Sequence, residues 1–85
     1  MHVFISGRVQ GVFFRAETER VAREHGIAGW VRNVPDGRVE AVFEGNDTDV
    51  DAIVAWCRRG PKWSEVGDTE IAEEPLAGEE GFRVR

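Results

Sequence analysis

The run IAGWVRNVPDGRVEAVFE, residues 27–44, constrains the fold more tightly than any other part of the chain. Pro35 and Asp36 suit the middle of a type I turn, and Gly37 suits the left-handed residue that follows it. Beyond the turn, Val39, Ala41 and Phe43 alternate with polar or outward positions, the two-residue period of a strand with one buried face. IAGWVRN (27–33) and RVEAVFE (38–44) are therefore predicted to pair as a β-hairpin. Its apolar face must be covered from elsewhere in the chain.

Two segments have the pattern to cover it. Phe14, Thr18, Val21, Ala22 and His25 follow the spacing of one helix face, and Gly26 ends the run. NDTDVDAIVAWCRR (46–59) begins with capping residues and acids and ends in two arginines, matching the helix dipole at both ends, while Val50, Ile53, Val54 and Cys57 form its apolar stripe. HVFISGRV (2–9) is β-branched and bounded by glycine, SEVGDTEIAEE (64–74) is a further strand candidate, PLAGEEG (75–81) a loop and FRVR (82–85) a short last strand. The order βαββαβ, with a small terminal strand, predicts an α+β fold of the split βαβ type: an antiparallel sheet with two helices on one face. At 85 residues, without repeat or linker, one domain spanning 1–85 is expected.

Eleven Lys and Arg against sixteen Asp and Glu give a net charge of −5, a field that repels polyanions, so nucleic acid is not an expected partner. The lone Cys57 has no disulfide partner, and no C-x-x-C pair or Cys/His cluster offers a metal framework. A cytoplasmic location is expected. Met1 leads directly into HVFISG, so neither a signal peptide nor a membrane span is read.

Between the first strand and the first helix lies SGRVQGVFFR (6–15). Gly7 and Gly11 free the backbone, and the N–H groups from about Gln10 to Arg15 precede or open a helix, where they lack intrahelical partners. Such donors form an anion site. The helix dipole adds positive potential and Arg15 a planar fork suited to phosphoryl oxygens. The other reading is a tight strand-to-helix turn with a surface arginine, and the glycine spacing is compatible with both. The segment lacks the Gly-Lys-Ser/Thr ending of a Walker loop. Asn33, entering the hairpin turn, is either a turn former bonding its own backbone or a neutral amide that holds a water while donating to a phosphoryl oxygen.

Other candidates carry less. His2 and His25 have no visible acid to form a dyad, Cys57 belongs to the apolar stripe, and Ser6 has no nucleophile-elbow context. Trp30, Trp56 and Trp63 are scattered, which favours packing over base stacking, and the acids at 47, 49 and 51 lack the glycine and terminal glutamate of a calcium loop. An RNA-binding sandwich would need exposed aromatics on the central strands and a basic face, a pattern absent from HVFISG and RVEAVFE.

GRVQGVFFR (7–15) resembles the first signature of the acylphosphatase family, and GWVRNVPDGRVEAVFEG (29–45) resembles its second. The resemblance extends through RRGP (58–61) and the terminal GFRVR (81–85), and it is weakest from Lys62 to Gly81, where Trp63 stands among positions the family usually fills with small residues and a valine. It implies a ferredoxin-like sandwich and hydrolysis of small acyl phosphates to carboxylate and inorganic phosphate. It matches Arg15 to the phosphate-binding arginine, Asn33 to the asparagine that positions the attacking water, and the backbone of Gln10, Gly11, Val12, Phe13, Phe14 and Arg15 to the phosphate cradle. The absence of a ligand cluster predicts no metal and no cofactor, a cup of amides and an arginine must also bind inorganic phosphate or sulfate as a competing anion, and a monomer is expected. A ferredoxin-like module that binds a small anion without turnover is the alternative.

Overall fold

The structure is a computed structural model and describes residues 1–75 and 77–85; Leu76, inside the expected 75–81 loop, lies outside the described residues. Its elements are β1 (His2–Arg8), α1 (Phe14–Glu24), β2 (Ala28–Asn33), β3 (Val39–Glu44), α2 (Asp47–Arg59), β4 (Glu65–Ala72) and β5 (Phe82–Val84). The strands form one sheet in the order β4-β1-β3-β2-β5. β1 pairs antiparallel with both β3 and β4, and β2 pairs antiparallel with β3. β5 instead runs parallel to β2, so the expected antiparallel sheet gains one parallel edge and is mixed.

The expected hairpin is present. Val34 N donates to Arg38 O at 2.8 Å, Gly37 N donates to Val34 O at 3.0 Å, and Asp36 Oδ1 accepts from Arg38 N at 3.0 Å. The register puts Val31 opposite Ala41 and Asn33 opposite Val39. Val3, Ile5, Val31, Val39, Ala41 and Phe43 are then buried on one face of the sheet. Both helices cover that face, α1 through Phe14, Val21 and Ala22 and α2 through Val50, Ile53, Val54 and Cys57. Thr18 is tolerated in this core because its hydroxyl donates to Phe14 O at 2.7 Å. α2 is capped as its sequence implies, with Asn46 Oδ1 accepting from Asp49 N at 2.9 Å.

The opposite face of the sheet has no helix over it. Contrary to the reading of the strands by sequence, it does carry aromatics among bases. The Arg38 guanidinium lies 4.4 Å from the Phe4 ring centre, and Arg85 lies 4.4 Å from that of Trp30. These arginines cover the rings rather than leave them free for stacking. Among them sits a carboxylate, Glu40, held by Arg32 Nε at 2.5 Å and by His2 Nε2 at 2.6 Å. His2 Nδ1 is 2.7 Å from Glu74 Oε1, and His25 Nδ1 is 3.1 Å from Asp49 Oδ1. Both histidines thus have acid partners that sequence separation concealed.

Candidate active site

The sheet order determines where the chemistry can gather. β1 and β2 point the same way, so the segment after β1 and the end of β2 lie at one edge of the fold. β5, parallel to β2, brings Val84 and Arg85 to that edge as well. There Arg15 and Asn33 line one cleft of about 370 Å³, together with Gly11, Phe13, Glu19 and Val84. The two side chains singled out from sequence, 18 residues apart, are brought together by strand direction alone.

The rim of this cleft is the start of α1. Phe13 is the N-cap, in the left-handed region at φ 61°, and it provides no side-chain acceptor for the first-turn amides. The first intrahelical bond in register is Glu17 N to Phe13 O at 3.0 Å, so the amides of Phe14, Arg15 and Ala16 precede the helical ladder. Gly11 also has positive φ, 73°, and a Cβ built on it meets nothing within 4 Å. What that position asks of glycine is backbone conformation, not space. Gly7 serves differently from the expectation that it frees the cradle. At φ 118° it lies where β1 passes β4, and a Cβ there would run into the Glu65 carbonyl and the Gly67 nitrogen. Gly7 permits the sheet; Gly11 shapes the loop.

Gln10 has a role that its backbone alone did not suggest. Its side-chain amide donates to Val34 O at 2.8 Å and to Arg38 O at 2.9 Å, tying the loop after β1 to the turn that follows Asn33. The only sequence signal was the residue type, since a glutamine amide carries the two hydrogens that this brace uses. Val12 is half-buried against the core, and Phe14 is buried in it, so these two anchor the loop with their side chains.

Asn33 is half-exposed, and among the described residues its amide makes no hydrogen bond. The turn is closed by main chain, by Asp36 and by Gln10 instead, which removes the turn-former explanation for this asparagine. Arg15 donates through Nη1 to the Arg85 main-chain oxygen at 3.3 Å. The other arginines of α1 are engaged: Arg20 by Glu17 and Glu24, Arg23 by Glu19. Among the described residues Arg15 forms no ion pair.

Cys57 stays in the core, where burial pushes its thiol up to about 12, so it offers no thiolate near neutrality. Neither histidine lines the cleft. Among the described residues no three His, Cys, Asp or Glu gather as metal ligands, and no helix is long and apolar enough to cross a membrane.

A neutral amide, an unpaired arginine and uncommitted main-chain N–H groups around one cleft suit a small tetrahedral anion. The acylphosphatase family model matches residues 1–84. The chain belongs to the acylphosphatase family. An acylphosphatase of Haloarcula marismortui is 55% identical over 84 residues, covering 99% of this chain and 92% of that protein. One from Syntrophobacter fumaroxidans is 58% identical over 78 residues, covering 92% and 80%. Among solved structures, the crystal structure of acylphosphatase from Bacillus subtilis superimposes with a TM-score of 0.94 at 34% identity, over 99% of this chain and 94% of that one. The architecture is accordingly the ferredoxin-like sandwich of that family, with five strands in one sheet.

Proposed function

We propose that the chain, acting as a single unit over residues 1–85, is the acylphosphatase its family membership makes it and works through Arg15 and Asn33. The observation that carries this assignment is their meeting in one cleft at the open N-terminus of α1. Main-chain N–H groups of Gln10 to Arg15 cradle the phosphoryl oxygens, and the Arg15 guanidinium closes the cup. The Asn33 carboxamide oxygen accepts a hydrogen bond from water and aims it at phosphorus.

The chemistry asks for little more. The water oxygen bonds to phosphorus as the bond to the acyl oxygen breaks, and the electron pair leaves on the carboxylate. A carboxylate is a weak base, so no general acid is needed to assist its departure. The water's proton passes to a phosphoryl oxygen. Charge on the three equatorial oxygens is met by donors already in place, which need no reorganisation as the reaction proceeds. The same donors hold inorganic phosphate or sulfate, so either anion inhibits competitively. Neither metal nor cofactor has a role in this scheme, and the protein works as a monomer in the cytoplasm.

The test is hydrolysis of acetyl and benzoyl phosphate by the purified protein before and after exhaustive chelation. Turnover is expected in both cases, with phosphate inhibition overcome by excess substrate. Phosphate binding without turnover would leave only an anion-binding module. Activity lost on chelation and restored by magnesium or zinc would overturn the metal-free mechanism.

A further inference from the structure

Next to the catalytic cleft lies a second, open groove of about 490 Å³, lined by Val12, Phe13, Trp56, Lys62 and Trp63 among others. Among the described residues Phe13 alone borders both. Among the described residues only Phe13 and Trp63 are non-glycine residues with positive φ, 61° and 77°. Of the described residues they also have the two most exposed large apolar side chains, 79% and 73% accessible. Each combines a strained backbone with a ring left in water, and neither condition is repaid by packing in the core.

Sheet order gives the groove a direction relative to the reaction. In the order β4-β1-β3-β2-β5, the loop that follows β1 is flanked on one side by the end of β2, which carries Asn33, and on the other by the segment entering β4, which carries Trp63. In-line displacement places the attacking and leaving oxygens on opposite sides of phosphorus. With the water held on the Asn33 side, the acyl oxygen departs toward the flank that carries Trp63, past the Phe13 ring that borders both clefts.

We propose that this groove is the acyl subsite and selects flat aromatic acyl groups, which lie against the Trp63 and Phe13 rings while the phosphoryl group occupies the cup. The proposal rests on the in-line reading of Asn33 given above. Lys62 Nζ lies 4.9 Å from the centre of the Trp63 ring and occupies one of its faces, leaving the other for the substrate. A methyl-sized acyl group has no flat face to lay against either ring, so acetyl phosphate serves as the internal reference.

The experiment compares kcat/KM for benzoyl and acetyl phosphate in the parent chain, Trp63→Ala and Trp63→Phe, after thermal melts have shown all three folded. The benzoyl-to-acetyl ratio is expected to fall by about tenfold in Trp63→Ala, the equivalent of one lost aromatic contact, and to recover in Trp63→Phe. A ratio within about twofold of the parent in Trp63→Ala, or an equal loss on both substrates, overturns the subsite while leaving the catalytic assignment standing. Failure of the parent to hydrolyse either compound overturns both.

Discussion

Replacing Arg15 and Asn33 in turn separates phosphate binding from turnover. A guanidinium has five N–H donors, and Arg15 gives one to the Arg85 main-chain oxygen at 3.3 Å, which leaves a bidentate pair for a phosphoryl group. Two charged hydrogen bonds at about 1.5 kcal/mol each sum to about 3 kcal/mol. Arg15→Ala is therefore expected to weaken inorganic phosphate binding by roughly a hundredfold and to lower kcat/KM at least as far. Arg15→Lys recovers little, because an ammonium is a point donor without the planar fork. In the proposed mechanism Asn33 acts on the water, a contact realised on the way to the transition state. Its removal is expected to lower kcat by about a hundredfold through lost positioning, with phosphate affinity within about threefold of the parent. Its side chain takes no part in closing the hairpin, so Asn33→Ala should melt with the parent. The assay is calorimetric titration with phosphate beside steady-state hydrolysis of benzoyl phosphate, on variants first checked by thermal melting. A folded Asn33→Ala protein that loses phosphate affinity as far as Arg15→Ala, or that keeps parental turnover, refutes the division of labour.

Three further outcomes follow from the same structure. Cys57→Ala should lose on the order of 1 kcal/mol in urea unfolding, as a small core truncation, and keep its turnover; a collapse of kcat with the fold intact would return the thiol to the mechanism. Gly7→Ala should destabilise by more than about 2 kcal/mol, since φ 118° and the β4 backbone both exclude a side chain, and a melt matching the parent would show that β1 and β4 can separate without loss. Burial opposes charging of His2, but hydrogen bonds to Glu74 and Glu40 outweigh it and raise its pKa above 6.5, so its contribution is complete below pH 6.5 and is lost as pH rises through the folded value. Urea midpoints should then decline more steeply above neutrality in the parent than in His2→Gln, and parallel curves would remove His2 as the cause.

The sequence was most legible where one face of an element is buried and the period is clean. Val39, Ala41 and Phe43 announce β3, and the helical series from Phe14 to Ala22 announces α1, because burial on one side imposes a pattern on neighbours in the chain. β4 was harder to read, since it lies at the sheet edge with only Val66, Thr69 and Ile71 of its central residues partly buried. The direction of β5 was not legible at all. Three residues carry no period that distinguishes parallel from antiparallel pairing, and that choice is made by the partner strand. The acid partners of His2 were hidden for the same reason: Glu40 and Glu74 are 38 and 72 residues away and meet it only across the sheet. Arg15 and Asn33 were visible as residue types at a strand-to-helix turn and a hairpin entry. Their convergence required knowing that β1 and β2 run in the same direction.

A chain of net charge −5 gains nothing from its overall field in gathering an anion, so the proposed phosphoryl site needs positive potential made locally. α1 does this by pairing its own charges. It carries Arg15, Arg20 and Arg23 against Glu17, Glu19 and Glu24, and the pairs at i+3 and i+4 bind every one of those acids to Arg20 or Arg23. Glu19, which lines the cleft and could repel a phosphoryl group, faces Arg23 Nη2 at 3.3 Å. The arginine left over is Arg15, in the first turn, where a cation works against the helix dipole unless an anion sits between them. That placement makes little sense for helix stability and good sense for a phosphoryl group, which satisfies the dipole and the guanidinium together. Uncharged amides supply the remaining donors, and they attract an anion at contact distance without adding to the long-range field that salt screens.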